Sequence, residues 1–169
     1  FLKKVEEGLE KRYDGNPPME VLKQADYECG VICQMQFCGY FLVVADYINW
    51  AKEHGVMVGP GRGSAAGAMV AYAMGITELD PLKHGLIFER FLNPERVSLP
   101  DIDVDFDPEG RMRVLGYVAD KYGHDKVAQC VIYGTIKTKQ ALKDSARIMG
   151  FPFETGTRIT EALPPAATG

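Results

Sequence analysis

Long apolar runs are missing from this chain. The longest, such as residues 40–45 and 65–74, fall well short of the roughly 20 residues that a bilayer span requires, and no basic segment leading into an apolar stretch opens the sequence. Neither a membrane span nor an export signal is therefore expected. Cysteine is sparse: Cys29, Cys33, Cys38 and Cys130 include no CxxC pair and no neighbouring histidine, which leaves a zinc site and a disulfide framework without support. Reduced thiols in a cytoplasm are the expectation. Cys29 and Cys33 stand one helical turn apart, a spacing open to a shared ligand or crosslink, although burial as small hydrophobes fits them better. Excess positive charge is lacking too, since a net charge of -4 and a pI near 5.4 argue against a protein that simply coats nucleic acid. Internal repeats and low-complexity tracts are absent, which excludes solenoid, fibrous and disordered classes.

What is present is enough for a globular fold. With 169 residues and 46% hydrophobic content, the chain can close one core and begin a second unit. Residues 1–13 read as a charged surface helix ended by the turn-rich 14–18, and 19–35 as a second helix. Gly39 punctuates before 40–54, where Phe41, Val44, Ala45, Ile48 and Ala51 recur at a spacing of three or four and describe an amphipathic helix closed by Gly55. Trp50 is expected in or near the core. Residues 56–58 form a short apolar strand running into Gly59-Pro60-Gly61-Arg62-Gly63-Ser64, followed by a helix over 65–74. A helix or turn over 84–92, a turn at 93–96, a helix over 111–122, a strand over 127–133, a helix over 135–149 and a periodic piece over 157–163 complete the pattern.

Between these elements lies the segment Pro100-Asp101-Ile102-Asp103-Val104-Asp105-Phe106. On a strand, successive side chains alternate faces, so three carboxylates share one side and Ile102, Val104 and Phe106 the other. Asp is a poor strand former, and three like charges this close repel unless a multivalent cation such as Mg²⁺ sits among the oxygens. The competing reading is an edge strand with a solvated acidic face. The glycine loop carries a second chemical signal: backbone N–H groups left unpaired before a helix, with the helix dipole behind them, cradle anions. Ser64 is a natural N-cap, Gly61 and Gly63 let the backbone approach a ligand, and Arg62 can clamp a phosphate bidentately. The loop is neither a GxxxxGK[ST] nor a GxGxxG motif, because Gly67 comes one residue late.

A phosphate cradle and a carboxylate pocket on one small domain are two halves of a phosphoryl or nucleotidyl transfer site. Arg62, Arg90 and Arg96 are the candidate phosphate clamps, with ion pairs to Glu89 or Glu95 the plainer reading for the last two. Directly after the acidic segment, residues 111–147 hold eight Lys or Arg against three Asp, a local balance of +5 that suits a polyanionic substrate. A solvated helix face with ion pairs would have the same count. Two other functions remain open: a DxD-type glycosyltransferase, with Asp101 and Asp103 holding a metal on a nucleotide sugar, and a non-catalytic nucleic-acid-binding module indifferent to metal.

The segments Val58-Gly59-Pro60-Gly61-Arg62-Gly63-Ser64-Ala65-Ala66-Gly67, Phe88-Glu89-Arg90-Phe91-Leu92-Asn93-Pro94-Glu95-Arg96 and Pro100-Asp101-Ile102-Asp103-Val104-Asp105-Phe106 closely resemble the bacterial replicative DNA polymerases of the C family, the DNA polymerase III alpha subunits. The likeness runs from about Tyr27 past Tyr133-Gly134-Thr135 to Pro164-Pro165. It implies an α/β (α+β) fold, a polymerase-beta-like nucleotidyltransferase palm with a mixed sheet backed by helices over residues 1–132, and the beginning of a helical thumb over 133–169. It also implies that Asp101 and Asp103 are catalytic metal ligands, with Asp105 second to them, in a site that holds two Mg²⁺ ions, or Mn²⁺ in their place, when complete. By the same resemblance Gly61, Arg62, Gly63 and Ser64 bind the triphosphate, Arg90 and Arg96 approach the incoming nucleotide, and Lys137, Lys139, Lys143 and Arg147 meet the DNA backbone.

The implied partners are dNTP, primer-template DNA, the sliding clamp and other replisome subunits in a bacterial cytoplasm, with no membrane. The third catalytic aspartate of such enzymes has no counterpart between Phe106 and Gly169, so the resemblance implies a fragment, inactive by itself, without fingers, clamp-binding segment, polymerase-and-histidinol-phosphatase-like domain or most of the thumb. Cys29, Cys33, Gln36 and Cys38 depart from the pattern, which has Leu, a polar residue, Gly, and Pro or Ser there.

Overall fold

A computed structural model describes residues 1–95, 99–130 and 133–164. The chain divides into two compact units, Phe1–Ala128 and Gln129–Gly169. In the first, helices α1 (Leu2–Arg12), α2 (Met19–Gln34), α3 (Cys38–Glu53), α4 (Met69–Ala73) and α5 (Pro108–Tyr122) follow in order, with short 3-10 turns at Ser64–Gly67 and Phe88–Arg90. Apolar spacing explains how they pack: Val5 and Leu9 of α1, Val21, Ala25 and Ile32 of α2, and Phe41, Val44, Ala45 and Ile48 of α3 each form one buried stripe. All three stripes contribute to a single core cluster. At its centre is α4, whose Met69, Val70 and Ala71 are fully buried, so this short helix is held by α1 and α2 rather than by its own propensity. Phe41 meets Phe1 and Phe91 edge-on, and Phe88 meets Tyr27 and Phe91 in the same way.

The join between α2 and α3 falls earlier than the sequence suggests. Gly39 lies inside the first turn of α3, and the break is made by Gln36, which adopts a left-handed φ of 63°. No single helix among the described residues is long and apolar enough to cross a membrane. The pair α2 and α3 passes by composition only when joined across a 114° bend, and its apolar faces are spent on the core.

The expected mixed sheet does not form among the described residues. Among the described residues, 56–58 and 100–106 meet at a single antiparallel bridge, Val58 with Phe106, flanked by Gly59 N–H to Asp105 O at 2.8 Å and Asp107 N–H to Met57 O at 3.2 Å. The ladder stops for local reasons: Pro60 has no N–H to donate and Gly61 turns away with φ 106°, while at the other end the Asp107 carboxylate accepts Met57 N–H at 2.9 Å and caps α5 by accepting Gly110 N–H at 2.6 Å. Nor do the described residues of 127–133 form a strand, and residues 131 and 132, where the expected domain boundary falls, lie outside the described ones. Among the described residues of the first unit, the expected α/β fold with a mixed sheet is therefore replaced by helices, most of them packed on one core cluster.

The second unit contains α6 (Thr138–Ile148) and α7 (Phe153–Glu161), a helical hairpin turned by Phe151 N–H donating to Ala146 O at 3.0 Å. Ala146 packs against Gly156, where a Cβ would stand 3.4 Å from the Ala146 methyl.

Candidate functional site

The carboxylate segment is anchored by its apolar side. Ile102, Val104 and Phe106 pack on the core, and Ile102 N–H donates to the Tyr40 hydroxyl of α3 at 3.1 Å. Burial pushes the Tyr40 phenol above its ordinary value, and the nearby charges of Asp101 and Asp103 add to that rise. The alternation turns Asp103 and Asp105 outward, toward Arg62. Its Nη1 stands 3.1 Å from Asp103 Oδ2 and its Nε 3.0 Å from Asp105 Oδ2, with side chains 54%, 40% and 63% exposed respectively. At that exposure each pair is worth at most about 1 kcal/mol. Asp101 is exposed on the same segment.

The glycine loop is held tightly beneath Arg62. Glu78 N–H donates to Pro60 O at 2.7 Å, and Arg12 of α1 fixes the following turn through Thr77 O at 2.8 Å and Glu78 at 2.5 Å. Burial raises the Glu78 carboxyl, but the bonds from Arg12 and Lys52 outweigh it and hold the group below its ordinary value. Gly63 has φ 66° and ψ -158°, a combination open essentially to glycine, and a Cβ there would lie 3.0 Å from Asp103 Oδ2. Gly63 occupies the N-cap position expected of Ser64. Ser64 begins the 3-10 turn, with no side-chain capping bond, and the expected continuous helix over 65–74 is split by Ala68 into that turn and α4. Gly63, Ser64, Gly67, Gly85, Ile87 and Arg90 line a cavity of about 300 Å³. Loop and Arg90 are thus brought together, and among the described residues Arg90 pairs with no acid. Arg96 lies outside the described residues.

A metal cluster is not assembled. Among the described residues no group of three or more His, Cys, Asp or Glu side chains is arranged to hold an ion, and Arg62 stands where a counter-charge between Asp103 and Asp105 is needed. The donor chemistry still suits a hard cation: exposed carboxylates next to a cavity lined by glycine N–H groups and Arg90 offer the few protein oxygens that Mg²⁺ takes alongside phosphate.

The family model described as bacterial DNA polymerase III alpha NTPase domain matches residues 1–168. The chain belongs to the bacterial DNA polymerase III alpha family. Relatives named DNA polymerase III subunit alpha are 59% identical over 164 residues in Mycobacterium tuberculosis, 57% over 145 in Aquifex aeolicus and 54% over 170 in Thermus aquaticus. These matches cover 96%, 86% and 95% of this chain and 14%, 12% and 14% of the relatives. The chain therefore spans about one-seventh of the length of the polymerase III alpha relatives it matches.

Of the cationic residues expected on DNA in this polymerase III alpha chain, Lys137 is the N-cap residue of α6, and Lys139, Lys143 and Arg147 recur along that helix at a spacing of four. Arg147 is engaged by Asp144 at 3.2 Å. One residue with structural weight escaped the sequence reading: Glu28, fully buried on α2, accepts Met69 N–H at 3.0 Å and Val70 N–H at 2.9 Å, capping α4 from across the core. Burial raises its carboxyl to about 7, against the lowering pull of Gln24 and those two N–H groups. The signal was an acid in the middle of an apolar stripe.

Proposed function

We propose that this chain supplies the first catalytic carboxylates and the triphosphate-binding loop of a replicative DNA polymerase, whose full-length form adds dNTPs to a primer 3′ end by two-metal-ion nucleotidyl transfer. The observation that carries this reading is the convergence of Asp103 and Asp105 on Arg62, beside the cavity shared by Gly63, Ser64 and Arg90. In the unliganded chain Arg62 supplies the counter-charge for Asp103 and Asp105. Asp101 and Asp103 would hold the cation, and Arg62, with Arg90 and Arg96 as further clamps, would meet the phosphate oxygens over the N–H groups of Gly61, Gly63 and Ser64. Asp105 plays a second-rank part. Bound Mg²⁺ or Mn²⁺ supplies neutralisation of the phosphates and activation of the primer hydroxyl.

Residues 1–132 would belong to the palm region of such an enzyme, with no sheet among the described residues, and 133–169 to the opening of its thumb; the division between Ala128 and Gln129 supports a boundary close to there. Lys137, Lys139 and Lys143 would meet the primer-template backbone, with Arg147 free to join once Asp144 releases it. Clamp, replisome partners and a place in the bacterial cytoplasm belong to the full-length protein. Residues 107–169 hold no counterpart of a third catalytic carboxylate, so the reading predicts that this chain by itself does not polymerise. Arg62→Ala separates the two duties given to Arg62. By equilibrium dialysis, Mn²⁺ alone should bind more tightly to the variant, and Mn²⁺ with dATP several-fold more weakly; equal effects in the same direction would count against the reading, as would a preference for UDP-glucose over dATP.

A further inference from the structure

The sulfurs of Cys33 and Cys38 stand 3.1 Å apart, closer than ordinary contact between two thiol sulfurs. The pairing is not the one that helical spacing suggests, because Cys29 points into the core while Cys33 is exposed and Cys38 half-buried. It is set by the turn between α2 and α3, which is itself fixed: Gln36 N–H donates to Cys33 O at 3.0 Å and Phe37 N–H to Ile32 O at 3.0 Å, with Gln36 held in the left-handed region. Ile32 is fully buried, so the end of α2 cannot drift, and Cys38 is the first residue of α3.

We propose that Cys33 and Cys38 are a reactive vicinal dithiol, a modification site that closes to an intramolecular disulfide with low-molecular-weight disulfides and chelates trivalent arsenicals. One thiolate attacks the oxidant, whose S–S bond breaks and releases one thiol. The second cysteine then displaces the remaining thiol from the mixed disulfide, so the oxidant gains two electrons and the two cysteine protons leave on the released thiols. The site lies two residues before Tyr40, whose oxygen receives the Ile102 N–H. Oxidation therefore acts on the helix that anchors the carboxylate segment.

Met35 lies between the two cysteines and provides the test. The reduced chain would be treated with oxidised glutathione, cleaved at methionine with cyanogen bromide and analysed by mass spectrometry before and after dithiothreitol. The expected result is loss of two hydrogens from the chain and two fragments joined across Met35 through Cys33 and Cys38, separable by reductant, with glutathione retained only on Cys130. Cys33→Ser and Cys38→Ser should each retain a glutathione adduct on the remaining thiol and lose capture of phenylarsine oxide. A stable glutathione adduct on Cys33 of the unsubstituted chain, or a Cys29–Cys33 link that leaves the fragments separate, would overturn the proposal.

Discussion

Glu28 brings a carboxyl group into an apolar core because two N–H groups of α4 wait there without another partner. Its raised value, about 7 against an ordinary 4.5, fixes the sign of its effect on stability. Between those values the folded chain keeps a proton that the unfolded chain has released, so the contribution of Glu28 to stability is greatest below about 4.5, declines as pH rises and levels off above about 7. At about 1.4 kcal/mol per unit the full change is about 3 kcal/mol. Urea unfolding followed by circular dichroism should show that decline in the natural sequence and a nearly flat profile over the same interval in Glu28→Gln. Gln36 supports a second prediction at this scale: its left-handed backbone costs about 1 kcal/mol, so Gln36→Gly should raise the unfolding free energy by about that amount, less the extra freedom of glycine in the unfolded chain. The family resemblance implies glycine where Gln36 stands, and a φ of 63° is a backbone conformation that favours glycine.

At the scale of elements, the glycine loop and the carboxylate segment depend on each other. Gly63→Ala places a methyl against Asp103 in a backbone conformation closed to alanine, and Gly67→Ala places one 2.7 Å from Ile87 O, so the two 3-10 turns must part. Gly63→Ala should lose at least ten-fold in metal-dependent dATP affinity and, through backbone strain, lower the unfolding free energy by about 1–3 kcal/mol. Gly67→Ala should lower the unfolding free energy by about 1–3 kcal/mol as well, checked by the same urea titration. Helix α3 was legible because Phe41, Val44, Ala45, Ile48 and Ala51 recur at a spacing of three or four, α1 and α2 because the turn-rich residues 14–18 divide them, and α6 because Gly150 ends it. The outward turn of Asp103 and Asp105 was legible by alternation. The sheet was misread because alternation persists in an extended segment whether or not a ladder follows, and Pro60, Gly61 and Asp107 cut this one to a single bridge. The separate start of α4 was hidden because it is made by Glu28, 41 residues earlier in the chain. Neither could periodicity show that Arg62 lies across two carboxylates, a contact between residues about forty apart.

The whole molecule combines a net charge of -4 with a cationic α6; on the proposed reading α6 meets the DNA backbone, and that binding should weaken steeply with salt. Lys139→Ala with Lys143→Ala should lower affinity for a primer-template duplex and reduce the slope of log affinity against log salt by about 2, measured by fluorescence anisotropy. The proposed function places the chemistry in the first unit, where the carboxylates and the loop of this chain would bind a metal–nucleotide complex together. Calorimetric titration with a dNTP, with and without Mg²⁺ or Mn²⁺, beside Asp101→Asn and Asp103→Ala, tests that claim most directly. The account predicts heat that requires the metal and disappears in both variants. Binding indifferent to metal, heat unchanged in the variants, or no binding by a cooperatively folded chain would contradict it.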